Sequence, residues 1–306
     1  MSAIETSSHD ASTQKGLEHL IKCAKEAFPS SHPGLSKEDA TLLIKRMDCV
    51  SYLGGGTFGS VFETSSPVGE VVKFIPRRTS KSKLPCDAAQ EFKMQKRFAR
   101  HGLAWAPRDL RHFQLSGNLE QAEPWVGLDV IRMEKVASTL DKTFRDGYAL
   151  RFTEEASSLG KSMAKLVSEA LVGGLVHHDA KCNNIGVSKD GDLRFIDFGR
   201  AFDEKALKSI GLSRKKINKA LRLGAAIDAW RFQESVSRWL LRVMSKEAHA
   251  RLFDFVVGPL RDFALDILKE DTIVPGDFLP PNAWWTDEEV FKTLKASFSS
   301  CIRAPR

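Results

Sequence analysis

Cysteine is scarce in this chain. The five cysteines, Cys23, Cys49, Cys86, Cys182 and Cys301, are an odd number, widely scattered, with no C-x-x-C spacing. Such a set indicates neither a disulfide framework nor a zinc site, and it points to a reducing compartment with no disulfide partner. Long apolar runs are missing as well, none approaching the roughly eighteen residues that a membrane span needs. The opening MSAIETSSHDAS lacks the charged start and apolar core of a secretory signal. These absences predict a cytoplasmic protein, with a secreted effector acting in a host cytosol as the alternative that the Ser-rich start leaves. What is present suits a folded chain: 42% of residues are hydrophobic, and 306 residues fit one large domain or two lobes. A net charge of +7 favours acidic partners and says nothing about fold.

Residues 1–48 read as a helical extension. Leu17, Leu20, Ile21, Ala24 and Phe28 recur at helical spacing, and Ala40, Leu43, Ile44 and Met47 do so again. Pro29 and Pro33-Gly34 separate the two, and Ser36 with Asp39 resembles a capping box. From Ser51 the pattern changes to short strands.

The chain is organised around His177 to Gly199, HHDAKCNNIGVSKDGDLRFIDFG. Asn184 and Asp197 can offer oxygen ligands to a hard cation such as Mg²⁺, which takes few protein ligands and relies on substrate phosphates for the rest. Asp179 is then left to meet a hydroxyl. Between them IGV and LRFI flank SKDGD, and Asp190-Gly191 is a hairpin-turn signal that brings Asp197 back beside Asn184.

Upstream, LGGGTFGSV places Gly54, Gly56, Gly59 and Val61 in a G-x-G-x-x-G-x-V pattern between strand-like SYL and SVFE. A glycine-rich turn lets backbone N–H groups approach nucleotide phosphates. A dinucleotide-binding turn would need a helix directly after Gly59, whereas Val61 to Glu63 continue as strand. Lys73 follows in the β-branched run EVVKF, and Glu91 lies on the helical stripe Ala88, Glu91, Gln95, Phe98, which Pro85 and Asp87 would start. A buried glutamate wants a cationic partner, and Lys73 is the one expected.

The run H-x-D-x-K-x-x-N followed by D-F-G, with the glycine pattern and Lys73 before it, resembles the eukaryotic-type protein kinases. The resemblance covers about residues 49–240. It implies an α+β fold of two lobes, a small antiparallel sheet with one helix over residues 49–135 and a mainly helical lobe over 136–306. ATP would bind in the cleft, with Lys73 on its α- and β-phosphates, Glu91 positioning that lysine, and Asn184 and Asp197 holding Mg²⁺. Asp179 would orient the acceptor hydroxyl and take its proton, and Lys181 would neutralise the transferring phosphate. Residues 125–136 match the last strand of the small lobe. There the resemblance sets Met133 behind the adenine, and Glu134 and Val136 would bond its edge through their backbone. The implied activity is transfer of the γ-phosphoryl group to a hydroxyl, protein Ser/Thr first.

Departures begin after Gly199. No A-P-E triplet follows, and the only later D-x-W is Asp228-Ala229-Trp230, thirty-one residues past Asp197. If Asp228 is the residue that braces the catalytic loop, the activation segment is short. His178 stands where arginine is usual, so activation by phosphorylation is not expected. Three rivals follow. A small-molecule kinase of the aminoglycoside or choline type often lacks A-P-E but usually carries histidine where Lys181 stands. A compact atypical kinase working mainly as an ATPase fits the short segment. A pseudokinase binding module is opposed by the complete catalytic set.

Ser213 to Gly224 reads as a basic amphipathic helix, with Arg214, Lys215, Lys219 and Arg222 on one face and Ile217, Ala220 and Leu221 on the other. Either this is a solvated surface, or Arg214–Arg222 attracts an acidic protein substrate, an anionic membrane or nucleic acid. The rest is expected to be mainly helical, with an apolar stripe from Leu252 to Ile267. Trp284 and Trp285 read as packing, and Thr286 with Glu289 as a final cap.

Overall fold

The structure is a computed structural model, and it describes residues 3–28, 34–56, 59–77, 88–114, 127–145, 153–209, 211–243, 256 and 258–266. The expected helix start at Pro85 and Asp87, the prolines Pro29 and Pro33, Leu252, Ile267, the Trp284-Trp285 pair and the Thr286 cap lie outside them. The described residues form an α+β protein. Its chain divides into two compact units, residues 1–96 with 105–135, and residues 97–104 with 136–306. Among the described residues no helix is long and apolar enough to cross a membrane.

In the first unit α1 (Ala3–Ala27) and α2 (Lys37–Arg46) precede five strands and the first turns of a third helix, whose residues 97–100 belong to the second unit. The strands are β1 (Cys49–Gly56), β2 (Gly59–Thr64), β3 (Glu70–Pro76), β4 (Pro107–Gln114) and β5 (Gly127–Glu134), and α3 (Ala88–Arg100) follows β3. They pair antiparallel in the order β1-β2-β3-β5-β4. Strand alternation sends neighbouring residues to opposite faces. Phe62, Val72, Phe74, Leu128 and Val130 thus meet Leu17, Leu20, Ala24, Leu43 and Ile44 in one core. Ile75 and Ile131, one residue on, join a second cluster with Ala88 and Phe92 of α3. Ser36 caps α2 as the sequence suggests, its Oγ accepting from the Asp39 amide at 3.0 Å and donating to that carboxylate at 2.9 Å.

The first helix reaches well before the apolar run that predicts it. Its early turns are polar and hold the sheet edge: the Ser12 hydroxyl donates to the Tyr52 carbonyl and accepts from the Tyr52 amide, both at 3.2 Å, and Thr13 donates to the Val50 carbonyl at 3.3 Å. An edge strand exposes unpaired backbone groups, and these hydroxyls cover those of β1.

The second unit contains β6 (Ser138–Thr139), α4 (Leu140–Arg145), α5 (Thr153–Val172) and β7 (Leu175–Val176). Then come β8 (Ile185–Val187), β9 (Leu193–Phe195), β10 (Phe202–Asp203), α6 (Glu204–Ser209) and α7 (Arg214–Val243). Helix α5 stops at Val172. Gly174 turns at φ 66°, and Leu175-Val176 pair instead with Phe202-Asp203. Strands β8 and β9 form the expected hairpin, with Gly191 at φ 88° in its turn. Asp203 starts α6 by accepting from the Ala206 amide at 2.7 Å, and it pairs with Arg97.

Candidate active site

The first unit gathers the glycine strands, Lys73 and Glu91. Gly54 and Gly56 lie on β1, and Gly59 opens β2. A Cβ on Gly59 would stand 2.1 Å from the Phe74 carbonyl oxygen, so β2 can lie this close to β3 only with glycine there. Val61 pairs with Gly54 on one side and Lys73 on the other. Alternation along β3 turns Lys73 away from the Val72 and Phe74 face, and its Nζ lies 2.6 Å from Glu91 Oε1 on α3. Both are buried, Glu91 to 1% exposure. Gln95, one turn on, donates to the Trp105 carbonyl at 3.0 Å and approaches the Met133 sulfur at 3.7 Å. Glu134 ends β5 on the surface, and Val136 follows half-buried.

The second unit builds a loop around Asp179. The Asn184 amide nitrogen donates to the Asp179 carbonyl at 2.9 Å and to its Oδ2 at 3.0 Å, where Lys181 Nζ also stands at 3.0 Å. With its nitrogen so committed, the Asn184 side-chain oxygen is the atom left for a cation. The Ile196 amide donates to the Asn184 carbonyl at 3.0 Å, which seats the residue before Asp197 beside Asn184. Asp197 and His178 both adopt positive φ, 65° and 64°, a region that Asp and His tolerate better than bulkier residues. Strained backbone held by its surroundings is common at functional sites.

The loop is braced from α7. Asp228, buried to 2% exposure, accepts from the amides of His177 and His178 at 3.0 Å each and from Ala180 at 3.1 Å. Burial pushes its carboxyl up to about 7, against the three amides, which favour the ionised form. His177 donates from Nε2 to the Ile196 carbonyl at 3.0 Å, and its Nδ1 accepts from the Asp179 amide at 3.3 Å. That pattern defines a neutral imidazole, and burial lowers its pKa against the pull of Asp179 and Asp197. The ring stacks on Phe195 at 4.8 Å and meets Phe198 and Phe98 edge-on. His178 is lowered to about 4 by burial and by the cations Arg231 and Arg200, so it adds no charge beside Asp179. The buried Cys182 thiol, pushed up to about 12, is not a nucleophile here.

Sequence reasoning missed the arginines. Arg231 Nη1 lies 3.1 Å from Asp179 Oδ1, and Arg200 Nη1 lies 3.8 Å from the same oxygen. Both carried a signal. Arg231 falls one helical turn after Asp228 on the same face, and Arg200 directly follows D-F-G. It also missed the pairing of His19 Nδ1 on α1 with the buried Ser60 hydroxyl of β2 at 2.8 Å. Of the basic segment, Arg214 and Lys215 are exposed, whereas Lys219 and Arg222 are half-buried.

Among the described residues no group of three or more His, Cys, Asp or Glu side chains is placed to hold a metal. The expected donors are one carboxylate and one amide oxygen, a set that suits a cation completing its shell with phosphate and water. No known protein-family model matches the chain, and no curated protein matches it significantly.

Proposed function

We propose that this chain is an ATP-dependent phosphotransferase with a two-lobed, protein-kinase-like fold that moves the γ-phosphoryl group to a hydroxyl, with protein Ser/Thr as the acceptor. The observation that carries this reading is the arrangement at Asp179. One carboxylate oxygen meets Lys181 and Asn184 at 3.0 Å each, on a loop whose amides are fixed by Asp228. A buried lysine–glutamate pair, Lys73–Glu91, supports it independently.

In this reading the new bond joins the acceptor oxygen to the γ-phosphorus, the bond from that phosphorus to the β-γ bridging oxygen breaks, and ADP leaves. Asp179 orients the hydroxyl and takes its proton. Lys181 offsets charge on the phosphoryl group, and Lys73 holds the α- and β-phosphates. Asn184 and Asp197 would hold Mg²⁺, which would supply electrostatic stabilisation of the phosphate oxygens. Such a site works by positioning and charge.

The contact of Arg231 with Asp179 favours a second reading, an ATPase whose acceptor is water unless a substrate displaces the guanidinium. Incubation with γ-labelled ATP and a panel of generic proteins, aminoglycosides and water alone tests both. Label on protein supports the first reading, free phosphate alone the second, and label on aminoglycoside the small-molecule alternative. No turnover with any acceptor contradicts them all.

A further inference from the structure

Between Glu204 and Asp228 stand seven lysines or arginines, no aspartate or glutamate, and no aromatic residue. The first turn of α7 is Arg214, Lys215, Lys216, all exposed, and Lys205 and Lys208 of α6 are exposed as well. Cations at a helix N-terminus oppose the macrodipole, so this arrangement weakens the helix that carries it. One acid, Glu204 of α6, pairs with Lys208 at 2.6 Å and is felt by Arg214, so a single carboxylate answers five exposed cations, and a local rule broken with so little compensation is expected where a function needs it. The apolar side of these turns is already committed: Ile217, Ala220 and Leu221 share a core with Val176, Phe202 and Leu207.

We infer that the Arg214–Lys216 face docks an acidic stretch of the protein substrate, at a set distance from the acceptor hydroxyl. The inference rests on the phosphotransferase reading and adds the substrate class. A membrane surface fits less well, because the apolar residues that would enter lipid are buried in the core. Nucleic acid fits less well, because no aromatic side chain in this segment offers a stacking platform. An acidic peptide needs only the charge that is there.

The helix supplies the ruler. Arg231, in contact with Asp179, and Arg214–Lys216 lie on one continuous helix, α7. At a rise of 1.5 Å per residue the basic turn sits about 22–25 Å along the axis from Arg231. An extended peptide covers that in about seven residues. The acids are therefore centred about seven residues from the phosphoacceptor, and acids two residues away do not reach.

The test uses the full chain and five probes: a Ser-containing peptide with four acids centred seven residues away, the same peptide with those acids as glutamines, a version with the acids two residues away, and fluorescent copies of the first two. Arg214→Glu, Lys215→Glu and Lys216→Glu are combined in one variant, whose new first-turn acids favour the helix, and a triple Gln variant accompanies it. Wild type is expected to show kcat/KM about ten-fold higher on the distant-acid peptide than on the other two at low ionic strength, with the preference fading as salt rises. Both variants lose the preference and keep ATP hydrolysis without acceptor. Equal kcat/KM on all three peptides, or equal losses on all three in the variants, overturns the proposal. So does charge-dependent binding to phosphatidylserine vesicles or to an RNA oligomer without a peptide preference. If no peptide is phosphorylated by wild type, the phosphotransferase reading fails on its own. Docking is then decided by anisotropy, where tighter binding of the acidic fluorescent peptide that both variants lose supports it and equal binding of the two peptides overturns it.

Discussion

Asp228 and Arg231, one helical turn apart on α7, hold the Asp179 loop by different atoms. Asp228 takes three backbone amides of that loop, and Arg231 takes the Asp179 carboxylate at 3.1 Å. One helix face thereby fixes both the path of the loop and the orientation of its acid.

Asp228→Ala should strand three buried amides. Each unsatisfied donor costs about 1–3 kcal/mol. Unfolding by urea is expected to show a loss on the order of 4 kcal/mol, with phosphoryl transfer abolished. Stability within about 0.5 kcal/mol of wild type, the usual range for a substitution away from such features, would mean that the loop does not depend on this brace.

In the proposed reading Arg231 acts through Asp179, 3.1 Å away, as a positioning residue. Replacing it by Gln should lower kcat by about ten-fold or more while KM for ATP stays near its normal value, because a misplaced acid harms the transfer step. Arg231→Lys should recover part of kcat. A rise in ATP KM with unchanged kcat would place Arg231 on the nucleotide side instead.

The buried Lys73–Glu91 pair separates stability from activity. Lys73→Met deprives Glu91 of its ammonium partner, and breaking a buried pair in this way costs about 3–5 kcal/mol. Adding Glu91→Gln should restore most of that in a denaturant titration, yet leave phosphoryl transfer absent. Recovery of turnover in the double variant would exclude Lys73 from phosphate binding.

Much of this site was legible in the sequence because its residues are consecutive or periodic. Lys73 alternates with Val72 and Phe74 along a strand, Glu91 shares a helical stripe with Ala88 and Phe98, and a turn signal at Asp190-Gly191 returns the chain toward Asn184. The parts that were not legible depend on tertiary approach. Glycine inside a helical pattern reads as a helix end, yet α7 runs through Gly224. A Cβ there would stand 2.6 Å from the Val176 side chain, so the glycine serves close packing. The basic segment and the Asp228 brace are consequently one helix, a continuity that residue periodicity alone does not disclose. The polar turns of α1 gave no apolar signal either, because Ser12 and Thr13 hold the sheet edge by hydrogen bonds.

His178 predicts a dependence on acid. Its folded pKa, about 4, lies below the ordinary histidine value near 6.5, so the native state binds fewer protons than the unfolded chain between those limits. Its contribution is fully present above pH 6.5 and is lost as pH falls toward 4. His178→Asn, which tolerates the positive φ, removes that dependence. The stability difference between wild type and variant should be constant above pH 6.5 and move in favour of the variant by about 3 kcal/mol at pH 4. A difference independent of pH would mean that His178 titrates normally in the fold.

The central claim is that Asp179 acts on the acceptor and that Asn184 and Asp197 serve the nucleotide through a cation. Calorimetric titration of Mg-ATP into Asp179→Asn and Asp197→Asn, beside their turnover with γ-labelled ATP, tests it most directly. The account predicts near-normal ATP affinity in Asp179→Asn with turnover lower by about 10² to 10⁴, and loss of both Mg-dependent binding and transfer in Asp197→Asn. Undiminished turnover in either variant, or lost ATP binding in Asp179→Asn, would contradict it.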